Sequence, residues 1–133
     1  ALTVVEPTSN GIGGDALALV WDGQLHGLNA SGCSPQAMTQ ERFAGMERVP
    51  PRHWLSVTVP GVVSAWQALW QRWGKLPFER LFEPAIRYAR EGFPVAPETA
   101  LLWQRAAATF LALDRPEFQP LKSVFFRHDR APG

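Results

Sequence analysis

Residues 7–35, PTSNGIGGDALALVWDGQLHGLNASGCSP, constrain the fold more than any other part of the chain. The turn Gly11-Ile12-Gly13-Gly14 is nearly free of Cβ atoms, so its backbone can take positive φ or admit another backbone closely. Residues 16–21 are small and aliphatic, enough for one buried strand. Asp22-Gly23 then signals a hairpin, because a type I′ turn needs positive φ at both central positions. A return strand over 24–29 runs into the polar segment Asn29-Ala30-Ser31-Gly32-Cys33-Ser34. A glycine turn, a buried hairpin and a polar loop frame a site without naming its chemistry.

The remainder of the chain must supply what covers that hairpin. At 133 residues it is one domain's worth at most, and six Trp and eight Phe provide ample core material. The net charge of +1, spread along the chain, argues against nucleic acid or an anionic membrane surface as a partner. Apolar runs fall far short of a bilayer span, and no signal-peptide pattern is visible. Cys33 is the single cysteine, which excludes an internal disulfide and a Cys-rich metal site. The compartment stays open. The sequence starts inside an apolar run, Ala1-Leu2-Thr3-Val4-Val5, and stops within the polar turn 128–133, so both ends read as cuts through a larger protein.

Taken in order, residues 35–48 predict a short helix on the spacing of Met38, Phe43 and Met46. A proline-stiffened loop follows over 49–54, and the alternation at 56–59 suits a short strand. The clearest helix spans 60–73, stopped by Gly74, with Val62, Trp66, Leu69, Trp70 and Trp73 as one apolar stripe that belongs to a core. Phe78 to Phe82 add a short turn. A second helix starts at Pro84, with Ala85, Ile86, Tyr88 and Ala89 inside and Gly92 as its stop. A third runs from Pro97 to about Ala112, with Leu102, Ala106, Thr109, Phe110 and Leu113 on its inner side. Residues 123–127 predict a last short strand. The order reads as α+β, with helices laid on one face of a mostly antiparallel sheet.

Few residues offer chemistry by themselves. The glycine turn lacks the Lys-Ser/Thr of a P-loop and precedes a strand rather than a helix, so it reads as a tight turn that brings the hairpin close to a neighbouring segment. His26, His53 and His128 lack the i, i+4 partners of a helical metal site, and no metal site is expected. Cys33 has no histidine base nearby in sequence, so it reads as an incidental thiol whose place in the loop lets it line a pocket.

Several ordered motifs together resemble the γ-glutamyltranspeptidase family and its acylase-like relatives. The glycine turn, buried strand, Asp-Gly hairpin and Ser34-Pro35 loop end match its opening motif. Ser56-Val57-Thr58-Val59-Pro60-Gly61-Val62-Val63 resembles its lead into a helix, and Trp73-Gly74-Lys75-Leu76-Pro77 its Tyr-Gly-Lys-Leu-Pro. Residues 83–95, EPAIRYAREGFPV, match almost letter for letter. The resemblance covers nearly the whole chain. It implies the four-layer αββα fold of N-terminal nucleophile hydrolases, of which residues 1–133 would be a partial large-subunit domain truncated at both ends.

The resemblance also implies the site. The family's donor-binding arginine falls on Ser31, and that of relatives with an Asn-Gly/Ala-Ser-Gly-Arg loop on Cys33, so Asn29, Ser31 and Cys33 become the substrate-binding candidates. Without a guanidinium there, γ-glutamyl specificity is open. The family's nucleophile is a threonine at the N-terminus of a small subunit, downstream of residue 133. No residue of this chain is then catalytic, the chain alone is inactive, and no cofactor is implied. Its partners would be the remainder of the parent chain, with that small subunit, and a small-molecule amide, γ-glutamyl or related. Self-association through exposed strand edges and apolar patches is a further expectation. The alternatives are an acylase for a different amide and a non-catalytic relative kept as a structural or interaction domain.

Overall fold

A computed structural model describes residues 1–126, 128 and 130–132. The chain forms two compact units, one from Gly11 to Leu81 and one that joins Ala1–Asn10 to the chain from Phe82 onward.

The first unit is built on the hairpin of β1 (Ala16–Trp21) and β2 (Leu25–Ala30), paired antiparallel with Ala16 opposite Ala30 and Trp21 opposite Leu25. The return strand thus begins one residue later than expected, leaving Asp22, Gly23 and Gln24 as the loop. Only Gly23 takes positive φ, at 107°, so the type I′ turn expected from Asp22-Gly23 does not form. A three-residue connection needs the left-handed conformation at one position, and glycine occupies it.

Helix α2 (Val62–Trp73) packs on the hairpin. The strand residues alternate accordingly. Ala18, Val20, His26 and Leu28 are half-buried, whereas Leu17, Leu19 and Trp21 are 74%, 77% and 72% exposed on the opposite face. The fully buried strand expected at 16–21 is therefore covered on one side only in this chain. The α2 stripe does turn inward. Val62 and Ala65 are buried, and Trp66, Leu69, Trp70 and Trp73 are half-buried. Trp70 donates its indole N–H to the Leu76 carbonyl at 2.7 Å and packs on Phe78, with ring centroids 5.2 Å apart. Indoles pack well at a half-buried surface, where the ring is apolar and the N–H finds a partner.

Between hairpin and helix the chain is irregular. The short helix expected over 35–48 shrinks to a 3₁₀ turn at Gln40–Phe43, with no side-chain cap to extend it. The strand expected at 56–59 is not formed. A 3₁₀ turn at Trp54–Ser56 leads instead into extended chain, in which Val59 N–H donates to the Cys33 carbonyl at 2.9 Å.

In the second unit, α1 (Leu2–Val5) packs against α3 (Glu83–Glu91), which follows a 3₁₀ turn at Phe78–Phe82 and ends at Gly92. Ala85 and Tyr88 face inward, but Ile86 and Ala89 are exposed, contrary to expectation. Helix α4 (Pro97–Leu111) is rotated from its expected face. Thr99 and Trp103 are buried while Leu102 and Thr109 are exposed, because Thr99, Trp103, Ala106 and Phe110 make the stripe that puts the large indole inside. The last strand expected, over 123–127, is a helix, α5 (Gln119–Phe125), with Arg127 outside the described residues. Pro120 in its first turn favours the helix, and the one sheet among the described residues pairs only β1 with β2. Trp103 meets Phe125, and Phe110 meets Phe126, at centroid distances of 6.0 and 6.4 Å.

Candidate functional site

The end of β2, the glycine turn and the start of α2 converge within the first unit. The Gly14 carbonyl accepts from both Gly61 N–H and Val62 N–H at 3.1 Å, supplying partners that the first turn of a helix lacks. The glycine turn thus does bring the hairpin against a neighbouring segment. The closest approaches, however, are at Gly32 and Gly61. A Cβ at Gly32, where φ is 74°, would collide with the Val59 carbonyl, and one at Gly61 with the Ala30 carbonyl. Only glycine permits this crossing of two backbones.

The candidate residues sit on the loop so fixed. Asn29 is exposed at the end of β2, and its Oδ1 accepts from Ser31 N–H at 3.0 Å and from the Ser31 hydroxyl. Ser31 is half-buried, and Cys33 is exposed as a free thiol. Asn29 and Ser31 are therefore brought together, while Cys33 is tied to its surroundings through its carbonyl, which Val59 engages. Thr58 completes the surface with long contacts from its hydroxyl, 3.3 Å to the Ser31 carbonyl and 3.4 Å to Asp15 Oδ1. The sequence reading missed Thr58, Asp15 and Gly61 as part of this surface. The Pro-Gly pair ahead of α2 was the one signal that placed Thr58 and Gly61 near a helix start, and no sequence signal linked Asp15 to them.

The loop presents hydroxyl, amide and thiol groups. None of them carries the fixed cationic fork that pairs with a carboxylate. Among the described residues no group of three His, Cys, Asp or Glu side chains could hold a metal ion, and no helix is long and apolar enough to cross a membrane.

The described helices and two-stranded antiparallel sheet make the chain α+β, and the solved structures it resembles have the N-terminal nucleophile hydrolase fold. Cephalosporin acylase from Bacillus halodurans superposes with a TM-score of 0.91 at 44% identity, over 99% of this chain and 26% of that structure's chain. The family model for gamma-glutamyltranspeptidase matches residues 1–133, and the chain belongs to that family. Its curated relatives include the glutathione hydrolase proenzyme 1 of Schizosaccharomyces pombe, 33% identical over 90% of this chain and 18% of the relative. The oxamate amidohydrolase proenzyme of Klebsiella pneumoniae is 36% identical over 90% of this chain and 23% of the relative. The chain thus spans about a fifth of the length of these curated relatives.

Proposed function

We propose that residues 1–133 serve as scaffold and acyl-pocket wall for an amide hydrolase or acyltransferase whose substrate need not carry an α-carboxylate. The reaction would proceed through a threonine nucleophile supplied by the rest of the protein, at the start of a small subunit. Its hydroxyl adds to the amide carbonyl, its own α-amine takes the proton, and the amine leaves as the acyl-threonine ester forms. Water or a second amine then receives the acyl group. The small-molecule amide and the small subunit are the partners in this reading.

One observation carries the specificity. Asn29 and Ser31 occupy each other through hydrogen bonds, and the other exposed side chains of the loop are Cys33 and Ser34, so no guanidinium there awaits a carboxylate. A cephalosporin acylase among the similar structures supports the same direction.

The full-length protein tests this with paired anilides that differ only in the α-carboxylate of the acyl group. Discrimination in kcat/KM is expected to be small. Ser31→Arg should raise the preference for the γ-glutamyl anilide by roughly tenfold or more, the equivalent of about 1.4 kcal/mol of added transition-state binding. A hundredfold preference for γ-glutamyl donors in the unsubstituted protein would show that the loop does not set specificity.

A further inference from the structure

The entry to the glycine turn carries chemistry that the proposed reaction does not use. The sequence contains two asparagines, Asn10 and Asn29, and two Asx-Gly pairs, Asn10-Gly11 and Asp22-Gly23. At such residues the next main-chain nitrogen can attack the side-chain Cγ and close a cyclic imide. Glycine in second place favours the attack, because no Cβ shields its nitrogen. How the fold holds each side chain then decides which site reacts.

Asn29 and Asp22 are both held. Asn29 lies in β2, followed by Ala30, which pairs with Ala16. Its Oδ1 accepts from Ser31 N–H at 3.0 Å and from the Ser31 hydroxyl. Asp22 precedes a glycine, but Trp73 donates its indole N–H to Oδ2 at 2.8 Å, and His26 Nε2 lies 2.8 Å from Oδ1. The indole, and after it His26, holds that carboxyl below its ordinary range. An ionised carboxylate has no good leaving group and resists imide formation.

Asn10 differs on each count. Residues 8–13 are exposed, and Asn10 and Gly11 lie outside any helix or strand. Among the described residues, neither the Asn10 amide nor the Gly11 N–H makes a hydrogen bond. We propose that Asn10 is a modification site, at which the chain deamidates itself with water as the co-reactant. The Gly11 nitrogen bonds to Asn10 Cγ, and the amide nitrogen leaves as ammonia with the proton that Gly11 gives up. Water then opens the imide. Breaking its Cγ–N bond yields aspartate. Breaking the bond between the Asn10 main-chain carbonyl and that nitrogen yields isoaspartate, with the main chain rerouted through Cγ. Either product places a carboxylate at the head of the turn whose Gly14 carbonyl holds Gly61 and Val62 N–H, and isoaspartate also lengthens the main chain there.

Glycine 11 offers a clean test. A Cβ there would meet nothing nearer than Gly13 N, at 4.0 Å, and its φ lies outside the left-handed region. Gly11→Ala therefore shields the nitrogen without disturbing the turn. The full chain is aged in water enriched in the heavy oxygen isotope, returned to ordinary water, digested and read by mass spectrometry with fragmentation that separates isoaspartate from aspartate. Label should enter position 10 as both isomers, while Asn29 keeps its amide and Asp22 stays unlabelled. The native chain should react nearly as fast as the urea-unfolded one, and Gly11→Ala should slow the change by roughly tenfold or more. Label at Asn29 or Asp22 ahead of Asn10, aspartate without isoaspartate, a native rate far below the unfolded one, or an unchanged rate in Gly11→Ala would each overturn the proposal. Should the variant not fold, the comparison of native with unfolded chain decides alone.

Discussion

Asp22 carries two duties at the hairpin tip. It lies in the three-residue connection, and its two carboxylate oxygens receive the Trp73 indole and His26. Both contacts favour the ionised form, which keeps its carboxyl below the usual 3.8. A depressed folded-state value contributes stability above the unfolded value and loses it as pH falls through the folded one. The melting temperature of the native chain should therefore exceed that of Asp22→Asn near neutral pH, and the two should converge below about pH 3.8. A difference that grows toward acid would contradict this account. The Asp-Gly pair told of a hairpin from the sequence alone, but not that its aspartate would be claimed by a residue 51 positions away.

At the scale of elements, α2 is the member that holds the first unit together. Trp70 is half-buried, hydrogen-bonded to Leu76 and packed on Phe78. Its replacement by alanine should cost about 2–3 kcal/mol in chemical denaturation, under the 3–5 expected for a fully buried indole. A loss below about 1 kcal/mol would mean that the stripe does not carry the packing. Helices were legible where proline opened them and an apolar stripe ran their length, as in α2 and α4. Which way α4 faced was not, because Leu102 and Trp103 offer competing stripes and the indole prevails only once its aromatic neighbours are in place. The segment at 123–127 failed for a related reason. Ser-Val-Phe-Phe suits a strand only beside another strand, and Pro120 had already started a helix. The loop at 29–33 is a candidate site by resemblance alone, whereas its fastening to 58–61 arises from contacts distant in sequence.

For the whole molecule, the open face of the hairpin matters most. Leu17, Leu19, Trp21 and Leu25 are 74%, 77%, 72% and 65% exposed on one side of a two-stranded sheet. Contiguous apolar surface of that kind is uncommon on a stable monomer, and two-stranded sheets leave edges that pair readily. The isolated 133-residue chain should sediment as a concentration-dependent oligomer, and the double variant Leu17→Lys, Leu19→Lys should shift it toward monomer. A monomer at about 100 µM, with or without the lysines, would show that this face is quiet; open-sheet aggregation by area alone predicts otherwise.

The crossing of Gly32 over Val59 and of Gly61 over Ala30 is made of main-chain atoms, as are the bonds from Gly14 to the start of α2 and from Val59 to Cys33. Geometry held this way does not depend on the identity of the side chains it displays. Positions 31 and 33 are in effect a socket whose fittings can be exchanged while the mount stays unaltered. Side chains at 31 and 33 can then be exchanged at little cost to folding, whereas a single methyl group at position 32 or 61 would dislodge the mount itself.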